Sequence, residues 1–455
     1  MGTVGLSFGS ATSGQGFDVA TTVTQIQASE QAIETPWQTQ LTALQAQDTV
    51  FSSLGTDLST LTNSLQSLTD AEGVFAEMEG SSSNTDVLSL TSAGTGAVAG
   101  SHTITATQLA QTSSYVSTAI TNASDTLAGS VTIQGTIFTV DSTDNTLATL
   151  SAAINSADIG VTASVLTDSS GSRLSLVSGT SGAAGQLTVT GSLADASSGN
   201  SSITFQTGEI GQDANLTVDG VSITSPSNTV TNAIPGVTFQ LLSASSTNPV
   251  PVQVQITNDA TDIGTAMSSF VTAYNAVVTD INTQEGNDSS GNPEPLYGNP
   301  AIDQLQSSLS ASLFTGAASG TISNITQLGL TVNDDGTLTL DADTFNSALN
   351  SDFSDVTGFL QNNGSFGQSM AATLNNLGTQ APDGAIYLAQ QQNSTQETAL
   401  NLDITNENAT LATQKTTLTT ELNTANQILQ SIPSQLNEIN EIYSATTGYN
   451  EDPQG

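Results

Sequence analysis

Apolar residues near the C-terminus fall on two interleaved lines. Ile404, Leu411, Leu418, Ala425, Ile432 and Ile439 follow one another at intervals of seven, and Leu422, Leu429, Leu436 and Tyr443 lie four residues after the later members of that line. Steps of four and three place both lines on one narrow edge of an α-helix, the heptad pattern of a coiled coil. Over residues 396–443 such a helix is roughly 70 Å long at ~1.5 Å per residue. A seam of that length needs a partner of similar length, and the other end of the chain offers one. Trp37, Leu44, Phe51, Leu58 and Leu65 form one line there; the second begins with Gln40 and Gln47 and continues as Leu54, Leu61 and Leu68. The pattern predicts a hairpin: a helix over 35–68 runs out, a large insert folds at its far end, and the helix over 396–443 runs back. Polar flanks favour this over the wider apolar stripe of ordinary core. Asn408 and Lys415 stand where Leu is expected and weaken the pairing, and Pro433 predicts a kink or a break.

Between the seams the period changes. Asp18 is a candidate N-cap ahead of Val19, Val23 and Ile26, and Thr35-Pro36 starts the first long helix. Residues 1–16 are rich in Gly, Ser and Thr and predict a segment unordered when free. Strands are expected at 87–90, 102–106 and 136–140, a short helix over 146–155, and a hairpin of 161–166 with 174–177 around Asp168-Ser169-Ser170-Gly171. Asp219-Gly220 marks a second hairpin turn. Gly135, Asn145-Thr146-Leu147 and Gly160-Val161 recur in order as Gly220, Asn228-Thr229-Val230 and Gly236-Val237, which predicts two related β-units. Val252, Val254 and Ile256 alternate as the strand leading back. Helices are predicted from Thr261 to Gly286, over 301–313 and from Asp343, with a hairpin over 328–340. Residues 361–385 read as an open passage into the final helix, and the tail after Gly448 as loose.

Composition narrows the function. The chain has 455 residues, 41 acidic against two basic (Arg173 and Lys415), and a formal charge of −39. No basic face for nucleic acid or an anionic membrane is possible, and no apolar run approaches the ~20 residues of a membrane span. The imbalance comes from missing Lys and Arg, which fits an acidic medium better than a salty one: near pH ~4 carboxylates protonate and self-repulsion falls. Cysteine is absent, so no disulfide or thiolate chemistry exists. Residues 1–19 lack the basic and apolar segments of a cleaved signal.

Candidate chemistry is sparse. Asn333-Asp334-Asp335-Gly336 resembles part of a calcium loop, but Thr331 and Ala342 stand where the loop needs acids, so a hairpin turn is expected. His102, the one histidine, is expected on a strand without a catalytic role, and Arg173 beside a hairpin as a solvated charge. Acids for glycoside hydrolysis are plentiful, yet the one tryptophan lies on a seam rather than in a sugar platform. No catalytic, cofactor or metal residue is assigned, and the chain is expected not to be an enzyme.

The motifs together resemble a known family. Gly16-Phe17-Asp18-Val19, then Val23, Glu30 and Ile33-Glu34-Thr35-Pro36, are similar to the start of bacterial flagellar hook-associated protein 2, the filament cap. Ile104–Gln111, Asn215–Ile223, Asn228–Gly236, Phe270–Asn275 and Leu328–Leu340 keep that family's order. Near-absence of Lys and Arg, Pro433, and Asp18 where Leu is common depart from it. The resemblance implies an α+β fold: long antiparallel terminal helices forming a coiled-coil leg (1–45 with 396–455), a helical domain (46–80 with 261–395), a β-rich head (81–125 with 206–260) and a second β-rich head inserted in it (126–205). It implies a ring-like homo-oligomeric cap at the flagellum tip that guides exported flagellin. The expected partners are flagellin, hook–filament junction proteins and a type III export chaperone; export needs no cleaved signal. The seam residues, Trp37 to Leu68 and Ile404 to Ile439, become the expected partner contacts. An extracellular adhesin on a coiled-coil stalk and a flagellin-like subunit are the rival readings.

Overall fold

The computed structural model describes residues 14–94, 96–141 and 145–448. The expectations for the first residues and for the tail beyond Gly448 therefore lie outside the described residues, apart from residues 14–16. The chain divides into two units at Thr69/Asp70 and Thr265/Ala266. It enters through α1 (Val19–Gln31) and α2 (Glu34–Thr69). Asp18 caps α1 by accepting from the Thr21 N–H at 3.1 Å, and Pro36 stands in the first turn of α2, where its missing N–H costs nothing.

The middle of the chain is β-rich. It opens with β1 (Met78–Ser82), β2 (Leu88–Ala93), β3 (Gly100–Gln108) and β4 (Thr112–Ser117). There follow β5 (Leu127–Ile133), β6 (Thr136–Thr139), α3 (Leu147–Ser156), β7 (Val161–Asp168), β8 (Gly171–Ser181), β9 (Val189–Asp195), β10 (Ser201–Ile203) and β11 (Phe205–Glu209). The segment closes with β12 (Ala214–Val218), β13 (Val221–Ser225), β14 (Thr229–Ile234), β15 (Val237–Leu241) and β16 (Pro251–Asn258).

Two cores form here. Sheets ordered β1-β16-β3-β12-β13 and β14-β15-β2 bury Leu88, Ile104, Leu216, Phe239, Val254 and Ile256 together. Strict alternation in β12 and β16 sends every second side chain inward. Sheets ordered β10-β9-β5-β6 and β11-β4-β8-β7 bury Val131, Ile133, Leu174 and Leu176 with Leu150 and Ile154 of α3. Thr146 and Thr149 form a reciprocal capping box at the start of α3, and Ser151 and Asn155 donate to the Ala163 carbonyl of β7 at 2.9 Å each. Helix and strand are thereby pinned in one register.

The first unit resumes along α4 (Ala260–Gln284), followed by α5 (Pro300–Ser312), β17 (Leu330–Val332), β18 (Leu338–Leu340), α6 (Ala342–Gln361), α7 (Phe366–Leu377) and α8 (Ala385–Thr447). Asn275 of α4 bonds both backbone groups of Leu338, donating to its carbonyl at 2.8 Å and accepting from its N–H at 2.6 Å, which fixes the β17–β18 hairpin on the helix. Phe359 and Phe366 stack with centroids 5.4 Å apart where α6 meets α7. Burial pushes the Tyr274 hydroxyl up to about 12.

Three expectations for this unit need correction. Residues 361–385 are not an open passage: Ser365 caps α7 by accepting from the Gln368 N–H, and Phe366, Met370, Leu374 and Leu377 bury one face. Flanking Gly364 and Gly378 had disguised a short helix as a loop. The last helix begins at Ala385, well before residue 396. It also runs through Pro433 without a break. A proline costs one backbone bond, about 3 kcal/mol, which a helix continuing on both sides tolerates. Gly14 lies against that ring, so close that a Cβ there would stand 3.0 Å from Cγ.

Candidate functional surface

The heptads of α8 meet two partners in succession. Ile386 approaches Gly55 of α2, the Gln390 amide donates to Ser52 Oγ at 3.2 Å, and the Asn393 amide donates to Asp48 Oδ1 at 2.8 Å. Beyond α2, α1 takes over: Gln27 Nε2 donates to the Leu411 carbonyl at 2.8 Å, and the Phe17 N–H donates to Asn426 Oδ1 at 2.9 Å. Gly16, at φ 62°, sits against Asn426 and Gln430, where a Cβ would collide. Residue numbers fall on one side as they rise on the other, so α8 runs antiparallel to both helices.

This register differs from the predicted one. The expected pairing set 37–68 against 396–443, yet only the first part of α2 faces α8. Leu58, Leu61, Leu65 and Leu68 are fully buried in a unit where α2 also packs on α6 and α7. A heptad stripe reports that a helix edge is covered, not by which helix, and α2 changes partners along its length. Val19 and Val23, buried on α1, were the available signal for the second partner.

The predicted seam residues therefore divide into classes. Leu44, Phe51 and Leu54 are buried with Leu58 to Leu68, while Trp37 is half-buried. On α8, Leu411 is buried and Ile404, Leu418, Leu422, Leu429 and Ile432 are half-buried. Leu436 and Ile439 are 40% and 60% exposed, with Ile442 and Tyr443 exposed beside them. Past Pro433 the apolar stripe continues with no cover among the described residues.

Sequence reasoning missed the polar members of the seam. Asn393 and Glu34 are buried, and Glu30, Glu34 and Glu397 each bury one carboxylate oxygen without a hydrogen-bond partner. Glu34 lies in the first turn of α2, where the helix dipole favours its charge.

The other candidates serve local structure. His102 Nδ1 stands 2.7 Å from Asp219 Oδ2, and the Thr103 N–H donates to Asp219 Oδ1 at 2.8 Å, tying the β12–β13 turn to β3. These bonds, His102 first, hold the Asp219 carboxyl below its usual range. Arg173 Nε stands 3.4 Å from Asp168 across the β7–β8 hairpin. Asp335 accepts from the N–H and hydroxyl of Thr337, so the Asn333–Gly336 turn satisfies its own acid. No group of three metal-ligating side chains occurs among the described residues.

Comparison with known proteins places this architecture. Residues 15–113 match the family described as flagellar hook-associated protein 2 N-terminus, and residues 211–441 match its C-terminus. The B-type flagellar hook-associated protein 2 of Pseudomonas aeruginosa is 29% identical over 397 residues, 80% of this chain and 82% of that protein. Flagellar hook-associated protein 2 of Escherichia coli (strain K12) is 29% identical over 304 residues, 60% of this chain and 64% of that protein. The crystal structure of the flagellar cap protein FliD D1-D2-D3 domains from Escherichia coli superposes with a TM-score of 0.57 at 26% identity, covering 76% of this chain and 99% of that chain.

Proposed function

The chain belongs to the flagellar hook-associated protein 2 family, and from that premise we propose how its parts divide the work of a filament cap. It is the structural cap of the flagellar filament, guiding flagellin polymerisation, and it is not an enzyme. It assembles as a homo-oligomer. The terminal segments 1–45 and 396–455 act as the leg, residues 46–80 with 261–395 as the helical body, 81–125 with 206–260 as one head and 126–205 as a head inserted in it. The two separate cores of the β-rich unit support an inserted head but favour borders near residues 111 and 212, since β4, Ile120 and β11 pack in the second core.

The observation that carries the mechanism is the stripe of α8 beyond Pro433. Among the described residues, intrachain cover from α2, α1 and the segment before α1 accompanies α8 as far as Gly14, and Leu436, Ile439, Ile442 and Tyr443 lie exposed beyond it. An uncovered apolar edge of this length is a contact surface. In the assembled filament it meets flagellin or a neighbouring leg, and the weakly apolar seam behind it lets the leg shift as subunits are added. Hook–filament junction proteins are further partners at the tip, and a type III export chaperone shields the same stripe before export. The protein acts outside the cell, at the filament end, exported by the flagellar type III system.

Electron microscopy of cells lacking the gene tests this reading. Short or missing filaments with flagellin in the medium are expected. Normal filaments with lost surface attachment would overturn it in favour of an adhesin.

A further inference from the structure

The sheet β1-β16-β3-β12-β13 ends in β13, which pairs only with β12 among the described strands. The Asp219–Gly220 turn, with φ 51° and 83°, sets Val218 opposite Val221. The inward hydrogen bonds then belong to Val221, Ile223 and Ser225, and the backbone groups of Ser222 and Thr224 point away from the sheet. Val221 is 64% exposed on that rim.

Such a rim is a template for another strand, which proteins normally blunt with a charge, a proline or a bulge. Four other rims of this unit follow the rule; β6 and the three-residue β10 do not. β1 carries Glu79, β11 has a bulge before Glu209, β14 has one between Thr231 and Ile234, and β7 ends at the Asp168–Arg173 pair. β13, Val221-Ser222-Ile223-Thr224-Ser225, has no charge, no proline and an unbroken register with β12.

The charge balance selects the occupant. Two copies of this chain each bring 41 acidic and two basic residues, so ion pairs between copies are scarce. Copies meet favourably only where carboxylates are absent. We propose that the outer edge of β13 is a contact between copies of this chain, at which a strand of the neighbouring copy extends the sheet. This rests on the homo-oligomeric cap reading. In a closed ring the two sides of a contact differ, and β6 supplies the second open edge. It follows an equivalent turn, Gln134–Gly135 at φ 50° and 81°, carries no charge, and leaves Ile137 66% exposed.

Native mass spectrometry of the full chain across concentrations tests the proposal. Ser222→Lys is expected to raise the concentration of half-assembly about tenfold or more, with thermal unfolding unchanged. Ser81→Lys makes the same charge change on the β1 rim, and assembly is expected to be unchanged. The chain contains no cysteine, so Ser222→Cys combined with Ile137→Cys gives a clean reading: a disulfide between copies. A Ser222→Lys chain that assembles like the parent, or equal weakening by Ser81→Lys, overturns the β13 contact and leaves the cap reading standing. Assembly that depends on Ser222 without the disulfide overturns β6 as the facing edge. A parent chain that stays monomeric overturns both the contact and the homo-oligomeric cap.

Discussion

Asn393 of α8 donates from Nδ2 to Asp48 Oδ1 of α2 at 2.8 Å, and the asparagine is only 6% exposed. A buried amide bonded to a carboxylate fixes the register of an otherwise apolar seam, because a slip of one turn leaves both groups unpaired. Asn393→Ala is expected to cost about 2 kcal/mol. Urea unfolding of the purified chain measures it; a loss under about 0.5 kcal/mol would show that the pair does not lock the register.

Covered and exposed positions of the two heptad stripes are expected to respond differently to substitution. Leu58 is 1% exposed, and Leu58→Ala is expected to cost 2–5 kcal/mol, roughly, through lost burial and a residual cavity.

Ile439 is 60% exposed, so Ile439→Asp should leave stability within about 0.5 kcal/mol of the parent. It should nevertheless abolish filament growth when supplied to cells lacking the gene. Normal filaments with Ile439→Asp would separate the stripe from the capping function.

Glycine substitutions distinguish strain from collision. Gly220 has φ 83° and open space where a Cβ would go, so Gly220→Ala is expected to cost about 1 kcal/mol, from backbone strain alone. At Gly236, φ 71°, the new Cβ meets the Gly96–Ala97 backbone. Gly236→Ala is expected to lower the unfolding midpoint more than Gly220→Ala; equal shifts would contradict this packing.

The pH dependence follows from opposed aspartates. Hydroxyls of Thr21, Thr337 and Thr344 hold Asp18, Asp335 and Asp341 below the usual carboxylate range. Backbone N–H groups are the first cause for Asp168, Asp288 and Asp355, and His102 for Asp219. A lowered folded value adds stability that is present above the unfolded pKa, ~3.9, and lost as pH falls through the folded one. Burial first, then the neighbouring Asp280 carboxylate, raises Asp57. Its contribution is complete below the unfolded pKa and lost as pH rises through the folded value. Asp57→Asn is therefore expected to stabilise at pH ~7 by about 0.3 kcal/mol, solvent screening keeping it small, and to have no effect near pH ~3. With net self-repulsion easing in acid while the turns stay ionised, the parent's melting temperature should peak near pH ~5. A peak at pH ~8 in low salt would remove acid adaptation as the reason for the missing basic residues.

Much of this was legible in the residues. Asp18, Thr35-Pro36, Asp219-Gly220 and the alternation of Val252, Val254 and Ile256 act through local geometry, and each produces the expected element. The internal repeat is visible as turns of matching φ at Gly135 and Gly220 and at Gly160 and Gly236. It breaks between them, where α3 in one segment corresponds to β14 in the other. Leu147, Leu150 and Ile154 step by three and four, whereas Thr229–Ile234 carries β-branched residues suited to a strand.

The pattern of apolar and polar positions by itself determined that both ends are long helices, each with one edge to cover, and that the middle is β-rich. These are consequences of backbone period and turn chemistry, which neighbours in sequence decide. Only the tertiary structure decided that α8 leaves α2 for α1, that Asn393 finds Asp48, and that cover by the described residues reaches to Pro433. A greasy edge states how much surface must leave water; which surface arrives to meet it depends on every other helix competing for the same place.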